Sequence, residues 1–265
     1  MPRAMWSGSI SFGLVNVPIK MFTAARSKDI RFNQLHAPDM SRVKLKRFCG
    51  DEDVEIGNEE IIRGYDVGGD QYVIVSDDEL AALAPRVTSG IEIEEFVDLS
   101  EIDPVFFESS YYLAPDKKGE KPYALLLGAM KSANKVALGR VVLRQKQYLV
   151  AIRPAGRALA MSTLYFPDEV VSQDELDNLP NEGDINATER ELAMAQQLID
   201  ALSADFEPEK YHDEYREQLE ALIEEKASGA EPIAFKERPA AQANVTDLMA
   251  ALEASIAAAK KTKAS

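Results

Sequence analysis

The sequence predicts an α+β protein with a mainly β, barrel-like core. Short strands separated by turn signals fill the first two-thirds of the chain, and amphipathic helical periodicity takes over after Phe166. The chain has 265 residues, 46% of them apolar. That is enough to bury one substantial core and a second, smaller unit.

The clearest strand candidates are Ser9 to Val17, Gln71 to Val75, Ile91 to Val97, Tyr111 to Leu113 and Tyr148 to Arg153. Ala137 to Arg144 and Gln147 to Arg153 have hairpin spacing about Gln145-Lys146, although neither turn residue is the usual Gly or Asn. Two helices interrupt the strands. Ser76 and Glu79 have the spacing of a capping box, and Pro122 suits the first turn of a helix through Tyr123 to Ala133. Thr188 and Glu191 form a second capping box ahead of Leu192, Ala195, Ile199 and Leu202 at helical spacing, with Pro208 as the stop. Glu209 to Ser228 repeats the pattern through Tyr211, Tyr215, Leu219, Leu222 and Ile223 and ends at Gly229. Gly229 to Asn244 reads as a linker, and Val245 to Ala259 as a last helix with Leu248, Leu252 and Ile256 on one face.

No apolar run reaches the roughly 18 residues of a membrane span, and the start MPRAMWSGS lacks a signal peptide's apolar core. Cys49 is the one cysteine, which excludes a disulfide framework or a thiolate zinc cage within one chain. A reducing, cytoplasmic setting is expected. The net charge of −15 argues against nucleic acid only until its distribution is read. Residues 51–108 carry 18 acidic side chains against 2 basic, and 167–265 carry 23 against 9. The remainder holds 19 Lys or Arg against Asp29, Asp39, Asp116 and Glu120 alone, and no acid lies between Lys121 and Pro167. Such blocks point to a polyanion-facing surface on an acidic body.

Catalytic constellations are scarce. His36 and His212 are the only histidines, each better explained as a packed or surface residue than as a base. Asp51 to Gly57 invites a calcium-loop reading, but Ile56 stands where the loop needs Gly and Ile62 where it needs Glu. Asp77, Asp78 and Glu79 could serve metal-assisted hydrolysis, yet helix capping accounts for them without a metal. Neither a phosphate-cradling glycine loop nor a nucleophile elbow occurs, so no cofactor is implied. Cys49 has no basic histidine beside it in sequence and reads as an inert thiol.

The strongest positive signal is Arg42-Val43-Lys44-Leu45-Lys46-Arg47-Phe48. As a strand it would place Arg42, Lys44 and Lys46 on one face, recurring every ~6.6 Å, close to two phosphate steps of a DNA strand. A solvated strand face is an equally simple account of that alternation alone. Arg26, Lys28 and Arg31 just upstream favour the functional one. Arg140 and Arg144, sharing a strand face in the acid-free stretch, form a second candidate. With no zinc-finger spacing, base-reading helix or aromatic platform motif, contacts would go to backbone phosphates and not to base edges.

The run from Arg3 through Trp6-Ser7-Gly8-Ser9-Ile10-Ser11-Phe12-Gly13-Leu14-Val15-Asn16-Val17-Pro18 to Lys20 closely resembles the opening motif of bacterial Ku proteins. Further resemblances follow in family order at Phe32 to His36, Ile62 to Tyr65, Tyr111 to Pro115, Ala137 to Arg144, Tyr148 to Pro154, Phe166 to Val170, Glu191 to Ala195 and Phe206 to Tyr215. They cover essentially the whole chain. The resemblance implies a β-barrel core over 1–186 with an inserted bridge at about 28–66, a helical arm over 187–229, and a linker, helix and short basic tail over 230–265. It further implies a non-enzymatic homodimeric ring around the ends of double-stranded DNA, associated with the nucleoid. Arg42 to Arg47 would lie in the bridge. Tyr211, Tyr215, Leu219 and Leu222 would clasp the other subunit, although packing within one subunit explains such stripes equally well. Leu248, Leu252 and Ile256 would meet an ATP-dependent end-joining DNA ligase.

Two departures from the family pattern stand out. Cys49 is followed by Gly50-Asp51-Glu52, where many members have Cys-x-x-Cys, and the tail stops after Lys260, Lys261 and Lys263. The competing functions are a metal-dependent nuclease using Asp77 to Glu79 and a protein-interaction adaptor whose basic patch meets acidic partners.

Overall fold

A computed structural model describes residues 3–83, 90–143, 146–180, 188–229, 253 and 256. The chain divides into two units, Met1–Glu175 and Leu176–Ser265.

The first unit is built on a closed seven-stranded barrel in the order β1-β2-β6-β9-β8-β7-β5. Its strands are β1 (Trp6–Phe12), β2 (Val15–Thr23), β5 (Gly90–Val97), β6 (Phe107–Pro115), β7 (Val136–Leu143), β8 (Lys146–Ala155) and β9 (Ala158–Leu164). All neighbours are antiparallel except β1 and β5, whose parallel pairing at Ser9 to Ser11 closes the barrel. Closure removes the unpaired edges an open sheet would present. Between β2 and β5 lie β3 (Arg63–Asp66), β4 (Tyr72–Val75) and α1 (Asp77–Leu83), with β3 and β4 forming a separate two-stranded sheet.

Side chains alternate across each strand, so one set fills the barrel. Ile10 of β1, Val17 and Ile19 of β2, Ile91 of β5, Leu113 of β6, Val141 of β7, Val150 and Ile152 of β8, and Leu159 and Met161 of β9 are almost wholly buried. The helix α2 (Glu120–Ala133) adds Tyr123, Leu126 and Met130 to this core. The Tyr123 hydroxyl donates to the Leu113 carbonyl at 2.6 Å and accepts from the Leu159 amide at 2.7 Å, tying the helix to β6 and β9. A second cluster, Val136, Ala151 and Leu164, packs with Ile102, Phe106 and Phe107.

Several expectations are corrected. Ser9 to Val17 is not one strand: Phe12 pairs with Val15, and Gly13 turns the chain at φ +56°, a conformation that costs glycine little. Lys146 is not a turn residue but the first of β8, paired with Leu143. β9 carries no strand expectation from sequence because Ala158-Leu159-Ala160-Met161 is composed of good helix formers. The barrel pairs it on both sides and overrides that preference.

In the second unit, α3 (Glu189–Leu202) starts at the expected capping box. The Glu191 amide donates to the Thr188 hydroxyl at 3.3 Å, and the Thr188 amide to the Glu191 carboxylate at 2.7 Å. The helix does not bury the expected stripe. Leu192, Ile199 and Leu202 are exposed, while Met194, Ala195, Leu198 and Ala201 are half-buried. The next helix, α4 (Glu214–Ala227), begins five residues later than the sequence suggests, because Asp213 caps it by accepting from the Arg216 amide at 3.0 Å. Tyr211 therefore lies off the helix, after a 3₁₀ turn at Pro208–Lys210, with its ring stacked on Phe206 at 5.9 Å.

Candidate nucleic-acid interface

The candidate cations of the N-terminal third fall on the long segment that leaves the barrel after β2 and returns at β5. This excursion spans 24–89, wider than the expected bridge at about 28–66, and among its described residues none is buried.

Its first half is shaped by two reversals. In the first, the His36 amide donates to the Ser41 carbonyl at 2.8 Å and the Val43 amide to the Gln34 carbonyl at 3.1 Å, bridging Leu35 and Arg42. Asp39 fastens this turn, accepting from the Ser41 amide at 3.0 Å and meeting His36 Nδ1 at 2.8 Å. The Ser41 amide, and then His36, hold the Asp39 carboxyl below its usual range. In the second reversal, the Cys49 amide donates to the Val54 carbonyl at 2.9 Å and the Ile56 amide to the Arg47 carbonyl at 3.0 Å.

Between these reversals, Arg42 to Phe48 has no ladder partner apart from its two end bridges, so the expected strand is not formed. Extended backbone without a neighbouring strand lacks the paired hydrogen bonds that define a sheet. The run of Phe32 to His36 is likewise not a strand. The basic side chains are then sorted by their partners. Lys46 meets Glu55 at 2.5 Å, and the Arg47 guanidinium donates to Asn58 Oδ1 at 2.6 Å. Arg26, Lys28, Arg31, Arg42 and Lys44 are exposed and make no side-chain hydrogen bond or ion pair among the described residues. These five have no partner charge to displace before meeting a phosphate.

The second half holds the β3–β4 hairpin, turned through Gly68 and Gly69 at φ +88° and +65°. Tyr65, Tyr72, Val73 and Ile74 lie exposed on it. The expected strand Gln71 to Val75 is realised as β4, whereas its partner β3, Arg63-Gly64-Tyr65-Asp66, lacks a strand's apolar alternation and carries no strand expectation from sequence. Asp77 pairs with Arg63 at 2.7 Å, and Glu79 closes the Ser76 cap at 2.9 Å, so two of the three carboxylates of the nuclease alternative are engaged in local structure. Among the described residues no cluster of three or more His, Cys, Asp or Glu is placed to hold a metal ion.

Arg140 sits on β7 as expected, but the barrel sets β5 beside it, and Glu94 meets its guanidinium at 3.3 Å. A stretch free of acid in sequence is thus not free of acid in space. Arg144 lies outside the described residues, as do Leu248 and Leu252, while Ile256 is helical and half-buried. On α4, Tyr215 is exposed and Leu219 and Leu222 are half-buried.

The model of the Ku70/Ku80 beta-barrel domain matches residues 11–194, more than half of the chain. The chain belongs to the Ku family. A protein of Anaeromyxobacter sp. (strain K) called non-homologous end joining protein Ku is 48% identical over 98% of this chain and 87% of its own length. Proteins of the same name from Heliobacterium modesticaldum and Bacillus subtilis are 42% and 37% identical, each over 96% of this chain and over 91% and 81% of their own lengths. The closed barrel of this Ku chain accords with the family domain, and the 24–89 excursion falls inside the matched span. Among the described residues no helix is long and apolar enough to cross a membrane.

Proposed function

We propose that this Ku chain binds the ends of double-stranded DNA as a homodimeric ring, acting in non-homologous end joining as a scaffold and not as a catalyst. Family membership supports DNA-end binding in end joining. The ring rests on one observation: a segment of about sixty residues, 24–83, buries nothing of its own, yet exposes Phe32, Leu35, Met40, Leu45 and Tyr65 beside five unengaged cations. Apolar area on that scale calls for a partner surface. A second copy of the same segment supplies one with the symmetry most homodimers use. The cations left over face the enclosed duplex and bind phosphates without reading sequence.

The arm residues Tyr211, Tyr215, Leu219 and Leu222 then reach the other subunit, and the C-terminal residues Leu248, Leu252 and Ile256 engage an ATP-dependent DNA ligase. The test is a gel-shift comparison of linear, hairpin-capped and closed circular duplex at matched salt. The ring binds linear duplex far better than circles, with more copies loading on longer fragments. Equal affinity for circular and linear DNA would sink it.

A further inference from the structure

The barrel interior does not end in aliphatic packing at the end where β1 begins. Trp6 of β1, Met21 of β2, Ser109 and Tyr111 of β6, Leu143 of β7, Tyr148 of β8 and Thr163 of β9 line a cavity of about 170 Å³ there, together with Met5 and Glu108. Trp6, Tyr111 and Tyr148 are half-buried and pack against the core. The barrel thus gathers three aromatic rings from three different strands. A register shift between Phe107 and Ser109 marks a bulge at Glu108, a device that re-aims a side chain at a barrel rim. Its carboxylate accepts from the Thr163 hydroxyl at 3.0 Å, and that buried hydroxyl in turn accepts from the Ser109 amide at 3.2 Å.

We propose that this cavity is a binding site for a single lysine side chain presented by a partner protein. Aromatic faces attract cations, and a carboxylate beside them sets the sign of the ligand and repels phosphate. A cation already lies over one of these rings: Lys146 Nζ, which also meets Glu169 at 3.5 Å, is 5.2 Å from the centre of the Tyr148 ring. Met5, Met21 and Leu143 match a methylene stem. One Glu108 oxygen is held by Thr163 and the other is unengaged among the described residues, an arrangement that suits a point-charge ammonium better than a guanidinium fork seeking both oxygens. The site needs no DNA and is independent of the ring.

Trp6 is the only tryptophan of the chain, so its emission reports on the cavity directly. The full-length protein is titrated with acetyl-glycyl-lysyl-glycine amide, with the arginyl counterpart and with the uncharged norleucyl counterpart. The lysyl peptide gives a saturable change in Trp6 emission at millimolar concentration, the arginyl peptide binds less tightly, and the norleucyl peptide gives none. Glu108→Gln keeps an acceptor for Thr163, so the fold is retained, and it weakens the lysyl peptide by about tenfold. Tyr148→Leu, which removes a ring but keeps apolar bulk, weakens it as well. No saturable change with the lysyl peptide, an equal response to the norleucyl peptide, or unaltered binding in the two variants overturns the assignment.

Discussion

At Tyr123 a single phenol oxygen serves two backbone groups, the Leu113 carbonyl and the Leu159 amide, inside an otherwise apolar wall. Tyr123→Phe leaves both without that partner, and the expected loss is about 1–3 kcal/mol in urea unfolding. Burial raises the phenol above its ordinary 10.0. The unfolded chain then ionises first, so this group adds nothing to the pH dependence below about 10 and lowers stability as pH rises above it. The Phe variant lacks that component, which alkaline unfolding curves of the two proteins will separate. Glu191 works in the opposite sense. The Thr188 hydroxyl, then the Thr188 amide, hold its carboxyl below the ordinary 4.5. Its contribution to α3 is present above that value and disappears as pH falls through the lowered one. Helical circular dichroism of Thr188→Ala, compared with the parent below and above that range, checks the assignment: the variant should show a smaller acid-induced loss.

Among the elements, β5 and β7 approach so closely that a Cβ on Gly139 would lie 2.2 Å from the Glu92 carbonyl oxygen. Backbone cannot yield as a side chain can, so Gly139→Ala is expected to cost about 1–3 kcal/mol or more, read as a lowered Tm. This close approach was invisible in sequence, because it depends on which strand lies beside β7. What sequence did carry was local. The capping pairs Ser76 with Glu79 and Thr188 with Glu191 were legible because both partners lie within one helical turn. The strands β5, β7 and β8 were legible through apolar runs between turn signals. The misreadings arose where long-range pairing decided the outcome. β9 is a strand only because β6 and β8 flank it, and Arg42 to Phe48 is not one because, among the described residues, only isolated bridges at its two ends pair with it. In the same way, Glu94 beside Arg140 and Glu55 beside Lys46 are spatial neighbours that charge counting along the chain could not reveal.

For the whole molecule, the sorting of cations into engaged and free sharpens the DNA test. Neutralising Arg42 or Lys44 should flatten the dependence of log K on log salt by about 0.9 for each phosphate that is no longer neutralised. Lys46→Gln should flatten it less, because Glu55 already neutralises that ammonium. Equal slopes for all three variants would place the duplex elsewhere. Removing residues 245–265 should leave end binding intact and weaken ligase stimulation, and undiminished stimulation would refute that role for the C-terminal residues. The family and barrel were legible across the chain from its N-terminal motif onward, whereas the partner of each cation required the fold. The excursion between β2 and β5 also bears on how the protein survives in a cell. A solitary copy offers some sixty residues of solvated backbone to proteases, much of which the proposed pairing would hide. If the proposed pairing holds, orphan chains are cleared within that segment first and turnover slows as concentration rises. The amount of repair-competent protein would then respond more steeply than synthesis itself, a threshold set by the lack of a core in one loop.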